Sequence, residues 1–226
     1  MSLGSTIRRA FGPAEPAVAA AYRRIFVDMG RFVEIVRDWT ADATVSAVLD
    51  VGCGEGQITE ALSNAFPTAR FLAIDVSPRL GRLFRGDRRR VDFRKVRVED
   101  VAAREPDAFD LVVMSDVLHH VDVGDRRAFM AAAARALRPG GALVLKDWER
   151  LWSPAHIVAF VSDRIISRDA GVRYCTLDEL REHVRSTGLN GPLREARVRP
   201  WRNNVVLMAR RGGGPSSGAR ATAGAT

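Results

Sequence analysis

Nine residues, Val48-Leu49-Asp50-Val51-Gly52-Cys53-Gly54-Glu55-Gly56, constrain this chain more than any other stretch. The apolar run Ala47, Val48, Leu49 and Val51 reads as a buried strand. It breaks into glycine at every second position, and a helical pattern follows. Glycine at a strand-to-helix turn lets the backbone approach a ligand closely and adopt positive φ at little cost. Doubly wound α/β sheets build nucleotide sites in this way, at the carboxyl edge of the strands. The spacing here is G-x-G-x-G and continues into Gln57, whereas a dinucleotide loop needs G-x-G-x-x-G. Asp50 and Glu55 would also set two negative charges where a pyrophosphate has to sit. The loop suits a nucleoside that carries positive charge and no phosphate.

S-adenosylmethionine, with an ammonium and a sulfonium, is such a ligand. The sequence around the loop resembles the class I S-adenosylmethionine-dependent methyltransferases. Asp50-x-Gly52-x-Gly54-x-Gly56 matches that family's first motif at every fixed position. Phe71-Leu72-Ala73-Ile74-Asp75 is a second apolar strand ending in an acid, 23 positions after Gly52. A carboxylate there is placed to accept both ribose hydroxyls. The run Phe109 to His120 looks like the family's fourth-strand motif, and Leu137 to Leu145 looks like the helix, turn and strand that follow. Together the four motifs cover residues 46–147. The resemblance implies a doubly wound, Rossmann-like sheet of seven mostly parallel strands, with a C-terminal antiparallel hairpin and helices on both faces.

The rest of the chain fits that frame. At 226 residues it is long enough for one domain with an appendage. Val18, Tyr22, Ile25, Met29, Phe32, Val36 and Trp39 repeat at helical spacing, predicting one long helix over 16–39 within an N-terminal helical cap, 1–45. The same stripe would serve as a homodimer seam. Strands are expected at 47–51, 70–75, 91–96, 109–115 and 141–146, with helices at 57–65, 78–86, 100–104 and 125–137. Pro139-Gly140-Gly141 reads as the stop of the last of these helices. The methyltransferase domain, 46–211, is interrupted by a helical insertion over 150–175. Thr176 and Glu179 then form a T-x-x-E capping box for a further helix. Strands at 194–199 and 203–210 flank a turn at Pro200-Trp201-Arg202, and 212–226 has the composition of a disordered tail.

Composition narrows the function classes. With 46% hydrophobic residues and no apolar stretch of bilayer length, the sequence reads as a globular protein without a membrane span. Gly12, Pro13, Glu15 and Pro16 interrupt any leader-like apolar run after Arg8 and Arg9, and a cytoplasmic location is expected. Cys53 and Cys175 have no metal-like spacing, and no metal is expected. The formal charge is +8, and Lys95 and Lys146 are the only lysines among 35 basic residues. Arginines concentrate between Arg79 and Arg97, a feature that would attract phosphates or an acidic carrier protein unless it is simply a solvated face.

Methyl transfer needs proximity above all, and a base only where the acceptor holds a proton. The donor site is expected from Asp50, Gly52, Gly54, Gly56, Asp75 and Val76, with Glu99 or Asp100 accepting the adenine amine. Ser115 and Asp116 end the fourth strand, where a backbone carbonyl would hold the donor's ammonium, and Asp50 would serve the same positive end. The Val-Leu-His-His stretch resembles methyltransferases in which the first histidine sits by the acceptor, polyketide C-methylating domains among them. That makes His119 the candidate general base, with His120, Trp148, Trp152 and Tyr174 lining the acceptor pocket. The reading is methylation at oxygen or carbon of a small secondary metabolite, free or tethered to a carrier. An RNA methyltransferase is the alternative, favoured by charge but lacking an Asn/Asp-Pro-Pro-Tyr motif. A non-catalytic docking module would have no need of every loop glycine and Asp75.

Overall fold

The computed structural model describes residues 28–150, 172–199 and 203–213. Alternating strands and helices build one sheet of seven strands in the order β3-β2-β1-β4-β5-β7-β6. These are β1 (Ala47–Val51), β2 (Arg70–Ile74), β3 (Val91–Arg94), β4 (Phe109–Ser115), β5 (Leu137–Trp148), β6 (Arg194–Val198) and β7 (Asn204–Arg210). The first five run parallel, and β7 is antiparallel to both β5 and β6. The chain reverses its direction of travel between β1 and β4, and that switch point is where such sheets open a crevice.

Helices cover both faces because the parallel strands are apolar on both sides. Val48, Phe71, Leu111, Val144 and Val206 face one layer, in which Phe32 and Val36 of α1 (Met29–Thr40) and Leu62 of α2 (Gln57–Ala65) are buried. Leu49, Leu72, Val112, Leu143 and Leu207 face the other. That layer comprises α3 (Val98–Arg104), α4 (Arg126–Ala136) and α5 (Leu177–Arg185). The capping box of α5 is present: Thr176 Oγ1 accepts from Glu179 N, and the Glu179 carboxylate accepts from Thr176 N at 2.6 Å. No helix among the described residues is long and apolar enough to cross a membrane.

Three expectations are corrected. The helix expected over 16–39 does not pass through Asp28, whose ψ of 88° is non-helical and whose carboxylate caps α1 by accepting from Arg31 N at 2.9 Å. An aspartate that satisfies an open helix amide is a start signal, and it outweighs the apolar stripe. Its earlier turns, like Trp152, most of the 150–175 insertion, Pro200-Trp201-Arg202 and most of the 212–226 tail, lie outside the described residues. Second, 78–86 is a series of turns and not a helix. Gly81 has φ +63°, and Gly81 N and Leu83 N donate to Gly54 O and Glu55 O. The segment's amides are spent on the glycine loop. Third, Pro139-Gly140-Gly141 lies inside β5, because Leu137 already pairs with Phe109 and the strand resumes after a register shift.

Much of the arginine run is engaged in contacts within the chain. Arg82 pairs with Glu55 at 2.9 Å, Arg89 with Asp87, and Arg94 with Asp92 and Glu105. Arg90 donates to the carbonyls of Ser63, Phe66 and Ala69, and Arg88 lies over the rings of Phe84 and Phe93. This is a structural use of guanidinium, not a free cationic face.

Candidate active site

The carboxyl ends of β1, β2 and β4 open into a cavity of about 340 Å³. Val51, Gly52 and Ile74 form its base. Gly52 has φ +73°, and a Cβ there would lie 2.7 Å from Val117 Cβ, so only glycine lets the loop pass the end of β4. A Cβ on Gly54, in contrast, would meet nothing within 4 Å. The loop's outer side is open to a ligand.

Asp75 and Val76 form one wall. The Asp75 carboxylate accepts from Gly54 N at 2.8 Å and from Ser77 N at 2.6 Å. A carboxylate has about four acceptor positions, so two amides fix it and capacity remains for hydroxyl donors. Val76 is 65% exposed, a bare apolar surface beside that acid. Glu99, at the start of α3, lines the cavity together with Arg97 and Val98, whereas Asp100 is exposed and stands outside it. Asp122 and Asp125 add two more acids near Phe129. Carboxylates thus outnumber the one guanidinium. The set fits an adenosine without phosphate: an acid for vicinal hydroxyls, an apolar face for a base and an acid for its amine.

The acids of the loop itself act differently from expectation. Asp50 is 1% exposed and accepts from Thr59 Oγ1 at 2.6 Å, beneath the loop and not in the cavity. Burial pushes its carboxyl up to about 7, the Thr59 bond opposes this, and Asp75 adds to it. Glu55 is neutralised by Arg82 and Arg79. Charge at Asp50 therefore costs folding energy. A carboxyl raised in the folded state is harmless below its ordinary pKa of 3.8 and destabilises progressively as pH rises to about 7. We expect Asp50→Asn to gain stability over the wild type between pH 4 and 7, with the difference level above that, as read by thermal melts across pH.

Beyond Gly52, β4 and β5 end in two polar pairs, one half-buried and one fully buried. Ser115 is buried, and its hydroxyl donates to Asp116. Lys146 is fully buried and contacts both Asp116 carboxylate oxygens, at 2.5 and 2.6 Å. The second pair joins His119, in the 3₁₀ turn Leu118–His120, to Asp147 of β5. His119 Nδ1 is 2.5 Å from Asp147 Oδ1, His119 N donates to Oδ2, and Trp148 N donates to Oδ1 at 2.7 Å. Burial would raise the Asp147 carboxyl, but the facing His119 brings it below the ordinary value. Tyr174 stacks on His119 with ring centroids 4.8 Å apart. Of the residues expected around the acceptor, His119, Trp148 and Tyr174 are buried, with Tyr174 stacked on His119 and Trp148 tied to Asp147; His120 instead lines the cavity beside Gly52 and Asp75. Asp147 as a partner of His119, and the Lys146–Asp116 pair, were not legible. The only signal was Lys-Asp-Trp at a strand's carboxyl end.

A family model described as a methyltransferase domain matches residues 49–143. A ubiquinone biosynthesis O-methyltransferase of Xanthomonas campestris pv. campestris is 33% identical over 179 residues, 72% of this chain and 71% of that protein. An O-methyltransferase family protein from Burkholderia thailandensis shares the fold with a TM-score of 0.64 at 21% identity. That match covers 92% of this chain, which spans 63% of the other's length. A 1,6-didemethyltoxoflavin-N1-methyltransferase from the same species, solved with S-adenosylhomocysteine, also gives 0.64 at 21% identity, covering 92% of this chain and 88% of its own. The chain belongs to the class I S-adenosylmethionine-dependent methyltransferases.

Proposed function

We propose that this methyltransferase, whose acceptors are small molecules, methylates a hydroxyl oxygen or an acidic carbon of a secondary metabolite. In this reading His119 takes the acceptor's proton. The observation that carries it is the 2.5 Å contact from His119 Nδ1 to Asp147, buried at the ends of β4 and β5. S-adenosylmethionine supplies an electrophilic methyl group when bound. Asp75 would hold its ribose, Val76 the face of its adenine and Glu99 the adenine amine. With Nδ1 committed to Asp147, proton exchange with an acceptor runs through Nε2. The carboxylate fixes the tautomer and balances the charge that develops as the imidazole gains its proton. Tyr174 holds the plane of the ring. The pairing of Arg82, Arg89, Arg90 and Arg94 with acids and carbonyls of this chain weakens the charge argument for RNA as the acceptor.

Calorimetry tests the donor half of this reading. S-adenosylhomocysteine should bind and NADH should not. Asp75→Ala should weaken binding by about 1–3 kcal/mol, the loss expected for hydrogen bonds to a charged group. Tighter binding of NADH would overturn the donor assignment. A methyl-donor turnover screen over metabolite and RNA pools tests the acceptor half, with label appearing in RNA as the contrary result.

A further inference from the structure

Arg126 is the first residue of α4 and is 4% exposed. Both facts count against a cation. A helix N-terminus already carries roughly half a positive charge, and burial strips a guanidinium of water. A leucine would fill the space without either cost. Among the described residues no carboxylate comes within ion-pair distance to compensate. The guanidinium instead spreads its donors over two separate segments. Nε donates to Val121 O at 3.0 Å, which closes the 3₁₀ turn bearing His119 and His120. Nη2 donates to Arg173 O at 2.5 Å and Nη1 to Cys175 Sγ at 2.8 Å. Between those two acceptors lies Tyr174, stacked on His119, and Arg173 N donates back to His119 O at 3.0 Å. Only a fork of fixed donors reaches three acceptors in these directions; a lysine has one nitrogen.

We propose that Arg126 is a positioning residue for methyl transfer. It ties the 3₁₀ turn to the 173–175 segment, seats Tyr174 against His119 and so fixes where His119 Nε2 points. Asp147 holds the ring from one side and the Arg126 clamp holds it from the other. The proposal rests on the reading of His119 as the base. It explains a buried cation that the donor cavity does not use.

The test compares Arg126→Gln and Arg126→Lys with the wild type by steady-state kinetics, S-adenosylhomocysteine calorimetry, thermal melts and NMR of the His119 imidazole. His119→Ala supplies the resonance assignment. Arg126→Gln should lower kcat about 10²-fold, as a misplacement near 1 Å does, with a much smaller change in donor affinity and with His119 resonances shifted. Arg126→Lys, which keeps the charge and one donor group, should recover part of the loss. A lower melting temperature with normal kcat and unmoved His119 resonances would make Arg126 a fold element only and overturn the proposal. If Arg126→Gln does not fold, the Arg126→Lys variant decides by the same criteria. If the resonances move while Arg126→Gln and His119→Ala both turn over normally, the base assignment is what fails, and the role of Arg126 in the reaction falls with it.

Discussion

His119→Ala should lower kcat by about 10²–10⁴ at saturating donor, the range that positioned proton transfer contributes, while S-adenosylhomocysteine should bind as tightly as to the wild type. The split follows from geometry. His119 is buried against Asp147 and Tyr174, whereas the cavity proposed for the donor is lined by its neighbour His120. Asp147→Asn should reproduce most of the kcat loss, because an amide can stabilise neither the required tautomer nor the developing positive charge. The acid limb of the pH profile then separates Asp147 from other titrating groups. Asp147 sits below its ordinary carboxylate value, so its favourable pairing is present at neutral pH and is lost only as pH falls through that depressed value. A fall in rate that sets in above pH 4 therefore belongs to a group other than Asp147. Normal turnover in His119→Ala would show that proximity alone suffices.

Gly52→Ala should abolish measurable donor binding and lower the melting temperature. Two effects add at that position. Its φ of +73° costs an alanine roughly 1–2 kcal/mol. The new Cβ also overlaps Val117, and overpacking of this kind costs about 1–3 kcal/mol. Val117→Gly in the same chain should relieve the second cost and not the first, restoring part of the binding. Calorimetry with S-adenosylhomocysteine on the single and double variants reads both. Wild-type affinity in Gly52→Ala would mean that the loop does not pass β4 as described.

Legibility in the sequence followed the range of the interactions. The bounds of β1, β4 and α2 are legible to the residue because apolar runs and the glycine break are local signals. Asp75, Val76 and Glu99, proposed above for the donor, follow from strand ends, which topology gathers around one cavity. Contacts between distant segments left no such trace. Gly81 gives its amide to Gly54, and this cancels a helix that its own neighbours would favour. Asp50 and Glu55 are correctly placed in the motif, yet one is buried against Thr59 and the other paired to arginines some 27 positions on. The conclusion drawn from them, a phosphate-free cationic ligand, is instead supported by Asp75, Glu99, Asp122 and Asp125. His119 stands out by its motif, but Asp147 lies 28 residues away and meets it because β4 and β5 are neighbours.

The placement of β7 has a consequence for how the chain must be made. β5 carries Lys146 and Asp147, and its outer side is covered from Ala142 to Trp148 by β7 alone. That cover is encoded at 204–210, among the last described residues, while β5 leaves the ribosome some sixty positions earlier. During synthesis the strand that bears half of each polar pair is an open edge, and open edges recruit foreign strands. Nascent chains stalled before residue 204 would expose Val144 and Leu145 beside an unpaired backbone, the combination on which chaperones act. The order of the sheet thus leaves the edge that bears Lys146 and Asp147 to be sealed by a strand translated well after it.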